Sequence, residues 1–118
     1  MDAEYIRQYC LTKKGVTEGF PFGETTLVFK VMSKIFLLLV LDHMPARFNA
    51  KCDPVKANEW REQYSSVQPG YHMNKKLWNT VTMDGSISVT TMKEMIDDSY
   101  NLVIHSLPVK LRNELGSL

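Results

Sequence analysis

The sequence contains little cysteine. Cys10 and Cys52 are the only two in 118 residues, too few to stabilise a small secreted fold by cross-links, and neither lies in a CxxC or Cys/His spacing typical of zinc sites. We therefore predict two buried free thiols. The opening MDAEYIRQYC has no basic segment followed by an apolar stretch, so we expect no signal peptide and a cytoplasmic protein.

Neither charge sign is in excess, and no apolar run is long. Fourteen Lys and Arg oppose thirteen Asp and Glu, which gives a formal net charge of +1 and excludes a strong overall field toward nucleic acid or a membrane. The longest apolar run, residues 35–41, is far shorter than the ~20 residues that cross a bilayer, so we expect no membrane partner. The length and ordinary composition predict one globular domain, residues 1–118.

Signatures of catalysis and of cofactor binding are also absent. His43, His72 and His105 are dispersed without HxH or HExxH spacing, and no glycine-rich loop leads into a helix. Cys52 next to Asp53 would act as a nucleophile only with a histidine nearby in the fold, and a buried cysteine at a strand end is the simpler interpretation. We therefore predict a protein that is not an enzyme and that has no catalytic residues, metal or cofactor.

Sequence patterns predict four helices. Helical patterns are present in residues 2–13, 54–64, 88–107 and 109–115. Pro54 suits the first position of the second helix and Asp53 is expected to cap it, while Ser88 or Thr91 is expected to cap the long third helix. Pro108 ends that helix before the last one begins.

Alternating and apolar segments predict the strands. Residues 25–32, 35–41 and 45–52 read as three consecutive strands of an antiparallel meander, with a tight turn at Ser33 and Lys34. One further strand, or two, is expected in residues 67–83. The glycine-rich residues 15–24 are expected to form a loop in which Phe20 and Phe22 are buried. This element order predicts an α+β fold with helices packed on one face of an antiparallel sheet.

The opposite face of such a sheet would be basic. Alternation places Val28, Lys30, Arg47, Asn49 and Lys51 there, together with either Trp78 or Asn79 according to the strand register. Cations and an aromatic ring on one surface suit nucleic acid, because the cations contact phosphates and the ring stacks on bases. The alternative is a solvated outer face whose Lys and Arg side chains only keep the protein soluble.

Residues 70–81, GYHMNKKLWNTV, are dense in side chains that can hydrogen-bond or stack. The candidates are Tyr71, His72, Asn74, Lys75, Lys76, Trp78 and Asn79. This mixture is typical of a recognition loop, although Tyr71 and Trp78 could equally be core residues with lysines that keep a turn soluble. Residues 43–80 carry six Lys and Arg against three Asp and Glu, so positive charge is concentrated in this part of the chain.

Several stretches resemble the MmcQ/YjbR-like family of small bacterial proteins. They are GVTEGFPFGETTLVFKV at 15–31, NAKCDP at 49–54, PGYHMNKKLWNTV at 69–81 and DDSYNLV at 97–103. The resemblance implies a frataxin-like, double-wing topology and DNA binding by similarity of fold, which does not fix function. The family motif falls on Lys51, Asp53, Pro54, Tyr71, His72, Asn74, Lys75, Lys76, Trp78 and Asn79, all of which this sequence keeps.

Two functions remain as hypotheses for the same residues. The first is weak, salt-sensitive DNA binding by the open sheet face and residues 70–79, with Lys30, Arg47, Lys51, Lys75 and Lys76 on phosphates and His72, Asn74, Trp78 and Asn79 near bases or sugars. Asn49 belongs to the same predicted face. The second is a module that binds a small anionic ligand or a protein partner in a pocket closed by Phe20 and Phe22. A broad convex face favours the first hypothesis, and a concave cleft favours the second.

Overall fold

The computed structural model describes residues 2–70 and 73–118, which contain four helices and six strands. The helices are α1 (Ala3–Leu11), α2 (Pro54–Gln63), α3 (Val89–Ser106) and α4 (Val109–Gly116). The strands are β1 (Val16–Gly19), β2 (Thr26–Val31), β3 (Lys34–Val40), β4 (Arg47–Lys51), β5 (Val67–Pro69) and β6 (Trp78–Thr82). In the described part of the chain, no helix combines the length and the apolar character that a membrane span needs.

The strands form one antiparallel sheet in the order β1-β2-β3-β4-β6-β5. The predicted meander is confirmed as β2, β3 and β4, and α2 then leads the chain to the far edge before β6 pairs with β4. The α+β prediction, with helices on one face of the sheet, is therefore correct. Because β3 and β4 lie in the middle of the sheet, side chains on both of their faces have neighbours on each side.

The hairpin between β2 and β3 turns at Met32 and Ser33, one residue earlier than the sequence predicted. Both residues have positive φ, 48° for Met32 and 71° for Ser33. Two positive φ values in a two-residue loop match the right-handed twist of the flanking strands, which explains the tight connection without glycine. The register shifts between Phe29 and Lys30, so the buried Phe36 lies against Tyr100 of α3, with ring centroids 5.4 Å apart.

The core lies between the sheet and the helices. On the sheet side, its members are Leu27, Phe29, Val31, Phe36, Leu37, Leu39, Phe48, Ala50, Val67 and Val81; from the helices come Ile6, Cys10, Met92, Met95, Ile96, Tyr100, Val103 and Leu115. Cross-strand pairs such as Leu39 with Phe48 and Phe48 with Val81 continue this apolar layer from strand to strand. We call this side of the sheet the covered face.

Two of the four helix starts, those of α1 and α3, have a side-chain cap, and those of α2 and α4 do not. Asp2 accepts a hydrogen bond from the Tyr5 amide, and Ser88 accepts one from the Thr91 amide, as predicted for the long helix. The Asp53 side chain makes no capping hydrogen bond, so this prediction was wrong. Pro54 at the first helical position fixes the backbone there without that bond.

The glycine-rich segment differs from the prediction in two respects. Residues Val16–Gly19 form the edge strand β1, and only residues 20–25 are a loop. Phe20 and Phe22 are 50% and 67% exposed instead of buried. The loop crosses the side of the sheet away from the helices, where nothing else covers the two rings in the described chain, and this makes both aromatics available at a surface.

Candidate functional site

The face of the sheet away from the helices collects the predicted binding residues. We call it the open face, and the register places on it Thr17, Thr26, Val28, Lys30, Ile35, Leu38, Val40, Arg47, Asn49, Lys51, Gln68, Trp78, Thr80 and Thr82. Lys51 lies opposite Trp78, and Asn49 lies opposite Thr80. Lys30, Arg47, Asn49 and Lys51 therefore share one face, as alternation predicted.

The register selects Trp78, not Asn79, for the open face. Asn79 lies opposite Ala50 on the covered face and is only 4% exposed. Its Oδ1 accepts from Arg61 Nε at 2.7 Å, and its Nδ2 donates to the Ala57 carbonyl at 3.4 Å. Asn79 joins β6 to α2 and does not lie with the other predicted binding residues.

The open face carries cations without acids. None of the described strand residues assigned to it is Asp or Glu, whereas Lys30, Arg47 and Lys51 are all there. Within residues 2–70 and 73–118, none of these three cations forms an ion pair. Each is only partly buried, so the positive charge is accessible.

Two cations on the helix side, Lys13 and Lys56, have acidic partners, although Lys93, Lys110 and Arg112 form no ion pair in the described chain. Lys13 Nζ lies 2.5 Å from Asp97 Oδ1, and Lys56 Nζ lies 2.6 Å from Asp98 Oδ2. The hydrogen bond with Asp98 raises the pKa of Lys56. The adjacent aspartates of α3 point to different partners, Asp97 to α1 and Asp98 to α2, and so do not form an acid and base pair.

Residues 73–77 form a turn stabilised by its own side chains and by α2. Asn74 Oδ1 accepts from the Lys76 amide at 3.0 Å, which gives this side chain a role in the turn. Asn74, Lys75 and Lys76 are exposed. Gly70 donates its amide to the Trp78 carbonyl at 2.8 Å, and a Cβ there would lie 2.8 Å from Trp78 Cβ, so the approach requires glycine. The predicted residues Tyr71 and His72 lie outside the described residues.

Arg61 is a residue whose role the sequence analysis missed. Its guanidinium donates to the carbonyls of Lys75 and Trp78 as well as to Asn79, and thereby fixes the start of β6 to α2. Arg61 and the paired Lys56 both contributed to the predicted positive charge of residues 43–80, yet neither lies on the open face. No sequence pattern predicts this role of Arg61, because two of its acceptors are backbone carbonyls that only the fold brings close to it.

A groove of about 420 Å³ runs across the open face. It is lined by Phe22, Thr26, Leu38, Val40, Arg47, Asn49, Met73 and Thr80. Phe22 comes from the loop of residues 20–25 and Met73 from the turn before β6, so two loops border a floor made by four strands, β2, β3, β4 and β6. The pocket wall predicted for Phe22 is therefore present, but Lys51 and Asn74 do not line the groove.

A second depression on this face lies beside the first loop. It has a volume of about 390 Å³, and its lining includes Phe20, Val28 and Lys30. Glu18 also lines this depression, and its Oε1 accepts from Arg7 Nε at 2.8 Å. Lys30 is thus left as the cation of this depression, next to an exposed aromatic ring.

The cysteines are buried free thiols, as predicted. Burial raises the pKa of Cys10 to about 12 and that of Cys52 to about 11. Cys52, Asp53 and His105 do line one cleft of about 260 Å³, which is the arrangement that a cysteine nucleophile would need. A thiol with a raised pKa stays protonated at neutral pH and is a poor nucleophile.

The described residues contain no group of three or more His, Cys, Asp or Glu that could bind a metal ion. The open face combines strand positions without acids, the accessible cations Lys30, Arg47 and Lys51, and a groove between two loops.

Two comparisons place this arrangement among known structures. The chain is similar to a crystal structure of a Deinococcus radiodurans protein with a DUF419 domain, with a TM-score of 0.91 and 37% identity over 98% of this chain and 88% of that one. A crystal structure of a Pseudomonas syringae protein matches with a TM-score of 0.75 and 22% identity over 86% of this chain and 98% of that one, which supports the fold alone.

Sequence comparisons give the family. The chain is 41% identical over 88 residues to YbdF of Escherichia coli O157:H7, covering 75% of this chain and 72% of that protein. It is 30% identical to YjbR of Escherichia coli K12 over 119 residues, covering 100% of both. The family model described as YjbR matches residues 11–102. The chain belongs to the YjbR family.

Proposed function

We propose that this chain is a non-catalytic cytoplasmic protein that binds DNA weakly on its open face. The observation that carries the proposal is the clustering of charge: Lys30, Arg47 and Lys51 have no ion-pair partner in the described chain and share a sheet face whose described strand residues include no acid. Cations that are left accessible in this way attract phosphate and do not stabilise the fold.

The aromatic rings of the face support the same proposal. Trp78 lies opposite Lys51 and is partly exposed, and Phe20 and Phe22 are exposed on the first loop. Unpaired bases stack on such rings, so single-stranded DNA is the form that this surface fits best.

The contacts that we expect with DNA follow from where each side chain lies on the open face or on the turn beside it. Lys30, Arg47, Lys51, Lys75 and Lys76 would contact phosphates, and Trp78 would stack on a base. His72 remains a predicted contact. Asn74 would act indirectly by shaping the turn that carries Lys75 and Lys76. The names of the family relatives state no reaction or ligand, so the proposal rests on the charge and aromatic content of the open face.

Fluorescence anisotropy with a labelled single strand tests the proposal. About five phosphate contacts with a single strand predict a slope of roughly −3.5 for log affinity against log salt concentration. The double variant Lys30→Gln and Lys51→Gln should weaken binding at least ~10-fold at low salt. The matched control is Lys110→Gln with Arg112→Gln, which removes two exposed cations from α4 on the helix side.

The control makes the result decisive. If both double variants lose affinity equally, the attraction depends on total charge and the open face is not the binding surface. Absence of binding by the unmodified protein at about 20 mM salt would contradict the proposal outright, since screening is weakest there.

A further inference from the structure

The geometry points to a second ligand for the open face: a small organic acid whose carboxylate binds Arg47 and Asn49 and whose apolar body fills the groove. The inference rests on the open face as the binding surface, as proposed above, but it does not require nucleic acid. It is carried by three features of the groove: a guanidinium without an ion-pair partner in the described chain, an accessible amide nitrogen that donates to no described residue, and an apolar wall.

Arg47 supplies the charge. It is the one cation that lines the groove in the described chain, and it has no ion-pair partner there. A guanidinium presents two parallel N–H groups that match the two oxygens of a carboxylate. Because the neighbouring open-face strand residues include no acid, no protein carboxylate would repel the bound anion or compete with it for Arg47.

Asn49 supplies a directed hydrogen-bond donor. It is only 7% exposed, and its Oδ1 accepts from Thr80 Oγ1 at 2.5 Å, yet its Nδ2 donates to no residue that the structure describes. The buried Asn79 shows the contrast, since both ends of its amide have protein partners. In the described chain, the fully buried side-chain polar atom without a partner is Trp60 Nε1, so the Asn49 nitrogen is open to solvent at the groove and can donate to a ligand there.

The remaining wall is apolar and adaptable. Leu38 and Val40 form the floor, Phe22 lies on one side with 67% of its surface exposed, and Met73 lies on the other. Methionine adjusts its shape to different ligands, and an exposed phenylalanine gains by being covered. The volume of about 420 Å³ falls in the range of small-molecule sites.

These features select the class of ligand. One guanidinium and one neutral amide match a single negative charge better than the several charges of a polyphosphate. The apolar wall favours a hydrocarbon or aromatic body over a polar metabolite. A monocarboxylate with a ring or a short alkyl chain matches both the polar pair, Arg47 and Asn49, and the apolar wall.

A pair of matched probes tests the inference by amide-resolved NMR titration. Hydrocinnamate carries the carboxylate and the ring, and hydrocinnamamide has the same shape without the charge; hexanoate tests an alkyl body. We expect saturable shifts of the Asn49 side-chain amide and of the Leu38 and Val40 backbone amides with an acid probe. The neutral amide should bind at least ~10-fold more weakly, because it lacks the charge-assisted hydrogen bonds.

Variants separate this site from the nucleic-acid surface. Arg47→Gln should weaken acid binding at least ~10-fold, while the control Lys30→Gln, whose cation lies in the other depression, should leave it unchanged. Asn49→Ser keeps a polar group and should weaken binding several-fold; dispersed spectra would show that the variant is folded. If the unmodified protein binds the acid but not DNA, the DNA proposal alone is contradicted.

Three results would overturn the inference. One is equal binding of hydrocinnamate and its amide, another is unchanged affinity in Arg47→Gln, and the third is an absence of shifts with either acid at about 10 mM, where even a weak site is filled. DNA binding that persists in any of these cases would leave the DNA proposal standing.

Discussion

Lysines, asparagines and apolar side chains lie on both faces of the sheet, but they stabilise the fold on one face and stay accessible on the other. On the covered face, buried side chains pack against three helices, and cations such as Lys13 and Lys56 pair with acids of α3. On the open face, Lys30, Arg47 and Lys51 have no acidic partner in the described chain, and two phenylalanines border depressions that stay open. The same residue types thus stabilise one side and leave the other available for binding.

Two buried asparagines, one on each face, show the difference in hydrogen bonding between the faces most directly. Asn79 faces the helices and has partners for its oxygen and its nitrogen. Asn49, two strand positions away from Lys51, faces the groove and has a described partner for its oxygen alone. The accessible nitrogen of Asn49 can therefore donate to a ligand in the groove, whereas the Asn79 amide is used up within the fold. Four predictions test whether the contrast between the faces is real.

The largest effect is expected for adjacent leucines of β3. Leu37 lies on the covered face and Leu38 on the open face, so Leu37→Ala and Leu38→Ala compare the two sides at one place. We expect Leu37→Ala to lower the free energy of unfolding by about 3 kcal/mol and Leu38→Ala by about half as much, because the groove already leaves Leu38 one open side. Urea denaturation measures both, and equal losses would contradict the contrast.

A smaller effect is expected at the serine that links α3 to the sheet. Ser99 is fully buried, accepts from the Lys51 amide at 2.8 Å and donates to the Phe36 carbonyl at 2.5 Å. Ser99→Ala leaves both backbone groups unsatisfied and should cost about 2 kcal/mol. The control Ser106→Ala, at an exposed position on the same helix, should change stability by less than ~0.5 kcal/mol. Equal effects would show that the Ser99 bonds are not stabilising.

The buried thiols predict how stability depends on alkaline pH. The folded pKa of Cys10 is about 12 and that of Cys52 about 11, both raised by burial from an ordinary value of 9.0. The unfolded thiols ionise first, so stability is constant below pH 9 and falls as pH rises toward the folded values. We expect a loss of about 1 kcal/mol per thiol near pH 10. In urea denaturation, Cys10→Ala should show a weaker pH dependence; an unchanged one would exclude this cause.

The smallest effect on stability is expected from the open-face cations. Lys51→Gln should change the free energy of unfolding by less than ~0.5 kcal/mol, because the cation has no ion-pair partner in the described chain. Lys56→Gln, which removes the partner of Asp98, should cost more, up to about 1 kcal/mol. Thermal unfolding compares the two variants, and the reverse order would show that Lys51 stabilises the fold.

Much of the fold was predictable because its signals are local. Strict alternation in β2 and β4 and the apolar run of β3 each fix a strand, and Ser88 fixes the start of α3 by a bond three residues away. The strand β1 was missed because it is an edge strand of four residues among glycines, formed by pairing with β2. The three-residue β5 likewise depends on pairing with β6.

The site was predictable in composition but not in arrangement. Alternation alone placed Lys30, Arg47, Asn49 and Lys51 on one face, because side chains of a strand point to opposite sides in turn. Whether Trp78 or Asn79 joined them depended on the register of β6 against β4, which is a contact between distant segments. The exposure of Phe20 and Phe22 was predicted wrongly, since hydrophobicity favours burial and only the fold shows that nothing covers them.

The sequence by itself determined the helices and central strands, the α+β class, the free thiols and the cationic character of the open face, because each depends on periodicity or composition within a segment. The tertiary structure decided which cations have partners, which asparagine is satisfied and where a groove remains. Those properties depend on distances between residues far apart in the chain, such as Lys56 and Asp98, Arg61 and Asn79, or Phe22 and Met73.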